Sequence, residues 1–477
     1  MKIILRLLIF SLLSVACIQA HAQDVVAVAD SAIIKDSSLV RISAINIAGN
    51  KKTKGYIIVR EMQIHLGDSI RKDRLEAALQ QARNQIYNTN LFTEVKVDST
   101  YQPDGSLAVN VGVHEKWYIY PTPQFQLADR SFNDWIRNHN ASLDRVIYGA
   151  KFAHYNFSGR RDQLRVYLLN GYARNVSVSY SNPYANKALN RGIGVATGFT
   201  QNREVAVKTG YNNKQLLFRN EKGFVRNSFA ASAAISRRNG FFRTRSLGIG
   251  INYINVADTI IKRYNPEYFN SSKHYQLFPT FSYNFRYINT NNNNYPLKGK
   301  SVGGSISKTG LGFKGGINNL NFAMDFSRYF THSHNFYSAI QLSGFIRLPF
   351  EQAYINRRAM GFGGFYLRGL EDYVIDGVAA GLAKYTFSKK IIAFNIPVPF
   401  HIRALPVVPI KIFAKTYADA GYAYTKDKYD TRLNNKFLYS GGFGIDILTL
   451  YDINIKLEYS FNQLGEKGLF LHGNGGF

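Results

Sequence analysis

Apolar and polar positions follow two rhythms along this chain, and the rhythm changes near residue 115. Before it, Ile45 and Ile47 alternate around Asn46 ahead of Gly49-Asn50, the pattern of a half-buried strand ending in a turn. A short helix is expected over Gly55–Ile64, with Gly67 closing it. Leu75, Ala78, Leu79, Ala82 and Ile86 fall at i, i+3, i+4, i+7 and i+11, which lines one face of a second helix with apolar groups. Val95 and Val97 then alternate with Lys96 and Asp98, Pro103-Asp104-Gly105 makes a turn, and Leu107, Val109, Val111 and Val113 alternate again. The expected order is β-α-α-β-β, a small α+β domain over residues 40–115.

From Trp117 to Phe477 no helical period remains. Short alternating segments, such as Val176/Val178/Tyr180, Leu320/Phe322/Met324/Phe326, Ile410/Ile412/Ala414 and Ile453/Ile455/Leu457, are punctuated by Gly and Asn. Strands with lipid on one side and a wet lumen on the other need this alternation. Sixteen strands over that length allow about 22 to 23 residues each, a span of roughly 9 to 11 plus a connection. The expected fold is a transmembrane antiparallel β-barrel of about 16 strands over residues 116–477. The apolar stretch Ile391–Phe413 contains Pro397, Pro399, Pro406 and Pro409, which forbid a spanning helix and predict two strands and a turn.

Composition agrees. A mean hydropathy of −0.20 argues against a bundle of membrane helices, and 34 Phe with 32 Tyr exclude a disordered chain. Lys2 and Arg6 flank the start of the apolar run Ile3–Val15, which ends at Ala20-His21-Ala22, so residues 1–22 are expected to be a secretory signal peptide. A lipid-modified Cys17 competes with this reading, but Ser14-Val15-Ala16 lacks the apolar residue usual three positions before such a cysteine. Cleavage after Ala22 removes the single cysteine and lowers the net charge from +28 to +26. Residues 23–39 have no sustained period and are expected to be a linker. The positive excess of an exported chain points to phosphate-bearing lipid or a basic lumen rather than to nucleic acid.

Two resemblances sharpen this picture. Ile45-x-Ile47-x-Gly49-Asn50 and Asn90-Leu91-Phe92-Thr93-Glu94-Val95 resemble the first and second strands of the polypeptide-transport-associated (POTRA) domain. Gly363-Gly364-Phe365-Tyr366-Leu367-Arg368-Gly369-Leu370 resembles the inward-folded sixth extracellular loop of the bacterial surface antigen superfamily, the BamA- and TamA-like outer-membrane assembly factors and transporters. Tyr417-x-Asp419-x-Gly421 is similar to its barrel-wall motif, and Tyr295-Pro296-Leu297-Lys298-Gly299 to its mid-barrel turn. The resemblance implies that Arg368 binds the carboxylate of Asp419 inside the lumen, with Gly369, Tyr417 and Gly421 completing the loop anchor. Two departures stand out: Leu370 replaces an aromatic, and the strand after the loop offers Lys384 or Thr386 where a Glu is frequent.

The resemblance further implies a factor that inserts or translocates polypeptides at the bacterial outer membrane. Its N-terminal domain would sit in the periplasm, and its barrel would have a seam between first and last strands. Gly473, Gly475 and Gly476 would weaken that seam, and Phe477 supplies the terminal aromatic common in such barrels. Expected partners are unfolded outer-membrane or secreted polypeptides, outer-membrane lipid, and periplasmic or lipoprotein accessory factors. A two-partner secretion transporter, which usually carries two POTRA domains and a plug helix, and a passive pore are the alternatives. An enzyme, a cofactor and a metal are not expected. Gly310-x-Gly312-x-x-Gly315 joins strand-like segments rather than opening a helix, and His332 and His334 lack a third ligand nearby.

Overall fold

The computed structural model describes residues 38–127, 135–136, 140–220, 223–312, 315–397, 407–426, 431–449 and 453–474. The expected signal peptide, most of the expected linker, and Gly475, Gly476 and Phe477 lie outside the described residues.

The N-terminal module runs β1 (Leu39–Ala48), α1 (Gly55–Glu61), β2 (Ser69–Arg71), α2 (Lys72–Tyr87), β3 (Phe92–Tyr101) and β4 (Leu107–Glu115). Its four-stranded sheet has the order β2-β1-β4-β3, with β1 parallel to β4 and the other pairs antiparallel. The apolar stripe of α2 turns inward as its spacing requires: Ala82 and Ile86 are fully buried, and Leu75, Ala78 and Leu79 pack on the same core. The expected β-α-α-β-β order therefore gains one strand, β2. Three residues are too short to show a period, and the strand exists because the chain after α1 bends back onto β1. Met62 leaves the helix in an extended conformation, earlier than the expected Ile64, and Met62 and Ile64 enter the core. The bend lets Gly67 N donate to Ile42 O (2.9 Å) and Ile42 N to Asp68 O (2.8 Å).

Sixteen antiparallel strands follow in one sheet: β5 (Ile119–Leu127), β6 (Val146–Tyr155), β7 (Gln163–Gly171), β8 (Ala173–Asn182), β9 (Arg191–Asn202), β12 (Arg226–Asn239), β13 (Arg243–Val256), β14 (Tyr275–Thr290), β15 (Gly299–Thr309), β16 (Asn319–Thr331), β17 (Phe336–Leu348), β20 (Ala379–Pro397), β21 (Val407–Tyr424), β22 (Phe437–Leu448), β23 (Asn454–Asn462) and β24 (Lys467–Asn474). Two hairpins lie in the connections, β10 (Glu204–Thr209) with β11 (Gln215–Arg219), and β18 (Arg358–Met360) with β19 (Ile375–Asp376). The proline-bearing stretch extends β20 and β21, its turn lying outside the described residues. Gly310 and its neighbouring glycines sit in the connection from β15 to β16.

Register explains the alternation. Ile193, Ile235, Leu247, Tyr283, Ile306, Phe322 and Ile346 are successive cross-strand partners on seven adjacent strands, so one face carries an unbroken apolar row. One residue along, Ser236, Ser246, Asn284 and Ser305 are successive partners on the opposite face. Outward apolar and inward polar faces make this an outer-membrane-type barrel. Among the described residues no helix is long and apolar enough to cross a membrane. The sheet curls: Asn88 of the N-terminal module accepts from Arg161 in the β6–β7 turn (3.4 Å) and donates to Thr290 O at the end of β14 (3.1 Å). The strand order is linear, and among the described residues no ladder joins β5 to β24.

Candidate functional site

The connection from β17 to β20, residues 349–378, folds into the barrel. Its apolar side chains hold it there: Leu367 and Leu370 are buried with Met360, Ile375, Leu382, Ala423 and Leu438. Leu370 thus fills by aliphatic packing the position where an aromatic is usual. Gly369 has φ of +85°, and a Cβ there would lie 2.7 Å from Ser460 Cβ, so both backbone and space demand glycine. Gly421 leaves room for Leu367 and Met360, whose terminal carbons would stand 3.1 and 3.0 Å from an added Cβ.

Arg368 is delivered by that packing to Asp419 on β21. Nε donates to Oδ2 at 2.9 Å, Nη2 to Oδ1 at 2.5 Å, and the Arg368 backbone N also donates to Oδ2 at 3.1 Å. Both residues are buried, at 7% and 3% exposure, so this is a two-pronged, charge-assisted contact out of water. The guanidinium lies 3.9 Å over the Tyr417 ring, whose hydroxyl meets Ser460 Oγ at 2.7 Å. Arg368 Nη1 donates to Thr386 Oγ1 at 3.1 Å. Thr386 therefore takes up the loop arginine, while Lys384 sits 4.3 Å over the Tyr366 ring.

A second carboxylate comes from a strand the motifs did not mark. Glu458 on β23 lies 3.7 Å from Arg368 Nη1, 2.6 Å from Lys415 Nζ and 2.6 Å from His472 Nδ1 on β24. Lys415 also pairs with Asp446 at 2.5 Å, and Asp446 accepts from Tyr295 Oη at 2.9 Å. Tyr295, Asp446, Lys415, Glu458, Arg368 and Asp419 form one buried polar chain across the lumen, joining the mid-barrel turn to the loop. Alternation held the missing signal: with Ile455 and Leu457 facing out, Lys456 and Glu458 must face in. Gly473 lies on β24 opposite Ile455.

Residues 40–116 match the family model described as POTRA, surface antigen variable number repeat. This segment is a POTRA domain. This POTRA domain leads directly into the sixteen-stranded sheet, the order of domains expected from the sequence. Three solved structures are similar to it. BamA from Haemophilus ducreyi lacking POTRA domains 1–3 has 16% identity over 91% of this chain and 84% of that one, with a TM-score of 0.48. CdiB from Escherichia coli has 10% identity over 96% and 92%, TM-score 0.47. CdiB from Acinetobacter baumannii has 12% over 91% and 73%, TM-score 0.44. No curated protein matches the chain.

The POTRA domain docks on the barrel rim through a buried ion pair. Glu61 of α1, 1% exposed, receives Arg238 at the end of β12 in two bonds, 2.6 and 2.7 Å, and also the hydroxyl of Tyr184 from the β8–β9 turn. Burial opposes the charge on Glu61, but Arg238 and Arg161 outweigh it and hold the carboxyl below its ordinary value of 4.5. A depressed carboxyl stabilises above its unfolded pKa and loses that contribution as pH falls, so docking should loosen only in acid, below about 4.5. Around this pair, Arg60 donates to Leu189 O and Gly240 O, both at 3.0 Å, and Asn156 Nδ2 to Thr53 Oγ1 at 2.9 Å. Glu61→Gln should strand Arg238 and cost about 3–5 kcal/mol of docking. Faster limited proteolysis between residues 115 and 119, or faster exchange of α1 amides, would report it; unchanged protection would remove the ion pair from the docking account.

Proposed function

We propose that this chain inserts or translocates polypeptides at the bacterial outer membrane, with the POTRA domain in the periplasm and the 349–378 loop on the far side. The observation that carries this reading is a POTRA domain that runs directly into the first strand of a barrel whose end strands, β5 and β24, share no ladder among the described residues. An unpaired edge offers backbone donors and acceptors to an incoming strand. The POTRA sheet has edges of its own at β2 and β3, where an extended client can add as a further strand. Arg368, Gly369, Tyr417, Asp419 and Gly421 have the role of fixing the loop against β21–β23, beside that seam, with Gly473 on the seam strand itself. Insertion of outer-membrane proteins is the leading form of the activity, and export of a dedicated secreted partner is the alternative. A passive pore is disfavoured by the anchored loop and by the Tyr295–Asp446 contact, both of which cross the lumen.

Photo-crosslinking residues placed along β3, at Thr93, Lys96 and Asp98, test the client-binding half in living cells. Adducts with unfolded outer-membrane or secreted polypeptides are expected, made only while those clients are being synthesised. Their absence from cells in which the crosslinker is shown to be active would overturn the client reading.

A further inference from the structure

On the POTRA-side rim the outer wall of the barrel carries a row of cations that the loop anchor and the seam do not use. Arg191, Arg237 and Arg245 are direct cross-strand partners on β9, β12 and β13, and Lys300 faces Arg328 across β15 and β16. All five share the parity of the outward apolar residues Ile193, Ile235, Leu247, Ile306 and Phe322, so they point at the membrane and not into the lumen. Like charges directly opposite on neighbouring strands destabilise a sheet. Among the described residues no acidic side chain pairs with any of the five, or with Arg243. The row is therefore kept at a cost that only an external anion relieves.

The surface at this row has the shape of a two-part site. Arg243, Arg245, Phe285, Tyr287, Lys300 and Val302 line one groove of about 410 Å³. Lys300 Nζ stands 5.6 Å over the Tyr287 ring, which leaves its charge at the groove mouth. Moving away from the POTRA domain along the same strands, the outward residues become Leu247, Tyr283 and Ile306, with no charge among them. Cations at the rim and apolar side chains one step deeper match a molecule with a phosphate at one end and acyl chains at the other. Arg243 lies three residues from Gly240, whose carbonyl accepts from Arg60 of the POTRA domain, so the row sits at the membrane edge where that domain docks.

We propose that this groove binds an anionic glycerophospholipid of the POTRA-side leaflet, with Arg243, Arg245 and Lys300 on its phosphate and Phe285, Tyr287 and Val302 against its chains. The choice of leaflet rests on the orientation given under the proposed function, since the periplasmic leaflet is the glycerophospholipid one.

The full chain, purified in a zwitterionic detergent, is titrated with phosphatidylglycerol, phosphatidylcholine, lipid A or inorganic phosphate, and the temperature at which the folded, gel-shifted form is lost is read. Phosphatidylglycerol should raise that temperature in the wild type and phosphatidylcholine should not. The triple variant Arg243→Gln, Arg245→Gln, Lys300→Gln should bind phosphatidylglycerol about a hundredfold more weakly. It should also be as stable as the wild type, or more so, in detergent alone, because like-charge repulsion is gone. That change of sign is what a purely structural role does not give. Arg243→Lys with Arg245→Lys keeps the charge and should keep the response, and Arg245→Gln alone should weaken binding about fivefold if the triple variant fails to fold. Equal responses to phosphatidylglycerol and phosphatidylcholine, or full response in the triple variant, overturn the lipid site and leave the proposed function standing. Protection by inorganic phosphate alone overturns the lipid in favour of a small anion. Preference for lipid A over phosphatidylglycerol overturns the leaflet and with it the orientation.

Discussion

A disulfide linking β5 to β24 should abolish activity while leaving the barrel folded. Cysteines are scanned in pairs across Ile119–Leu127 and Lys467–Asn474, the two strands that end the sheet without pairing to each other among the described residues. Cys17, the single cysteine, lies in the expected signal peptide, so the oxidised pair reports cleanly. A bond forms only where two Cα atoms come within about 7 Å, which makes the crosslinking yield itself a map of how closely the ends approach. If clients pass through or pair at this seam, oxidation should stop their assembly and reduction should restore it. A pore that conducts through its lumen would be indifferent to the lock. Full client assembly with crosslinking driven to completion would remove the seam from the mechanism.

The second large effect is expected at the loop anchor. Arg368→Ala should destabilise the loop by about 3–5 kcal/mol, because it leaves the Asp419 carboxylate buried with a single backbone N–H. Asp419→Ala should cost less, since Arg368 keeps Glu458 at 3.7 Å, Thr386 Oγ1 and the Tyr417 ring. The double variant should be no worse than Arg368→Ala alone, for each change removes the same contact and the pair removes both stranded charges. Protease accessibility of residues 361–372 and client assembly in cells measure the two sides of this. Additive losses would mean that the arginine and the aspartate act separately.

Apolar alternation made the sequence informative about the barrel wall, because lipid acts on every outward residue alike and leaves a period-two record on each strand. The α2 stripe was equally legible, from Leu75 to Ile86, for the same reason in a period of 3.6. Arg368 and Asp419 could be paired only through their resemblance to known motifs, since no local period links a loop residue to a strand 51 residues later. Glu458, Lys415, Asp446 and His472 went unread: each is one polar residue in an inward position that tolerates any polar residue. β2 is held by its partner strand rather than by its own three side chains. The hairpins β10–β11 and β18–β19 lie in loops, where neither lipid nor a single core imposes a rhythm.

The manner in which the POTRA domain is fastened has a mechanical consequence. It touches the barrel at four turns, between β6 and β7, β8 and β9, β12 and β13, and β14 and β15, through Arg161, Arg60, Glu61 and Asn88. A pull on a client held by that domain is therefore delivered as tension to one side of the rim and spread over many ladders loaded in shear. The last strand carries none of this load. Among the described residues β24 is fastened by its ladder to β23 and by the His472 ring, which bridges to Glu458 and lies 5.5 Å from Tyr366. Such a ladder is unzipped one rung at a time from its free end, so the body of the barrel can stay stiff under traction while its final strand remains the compliant member.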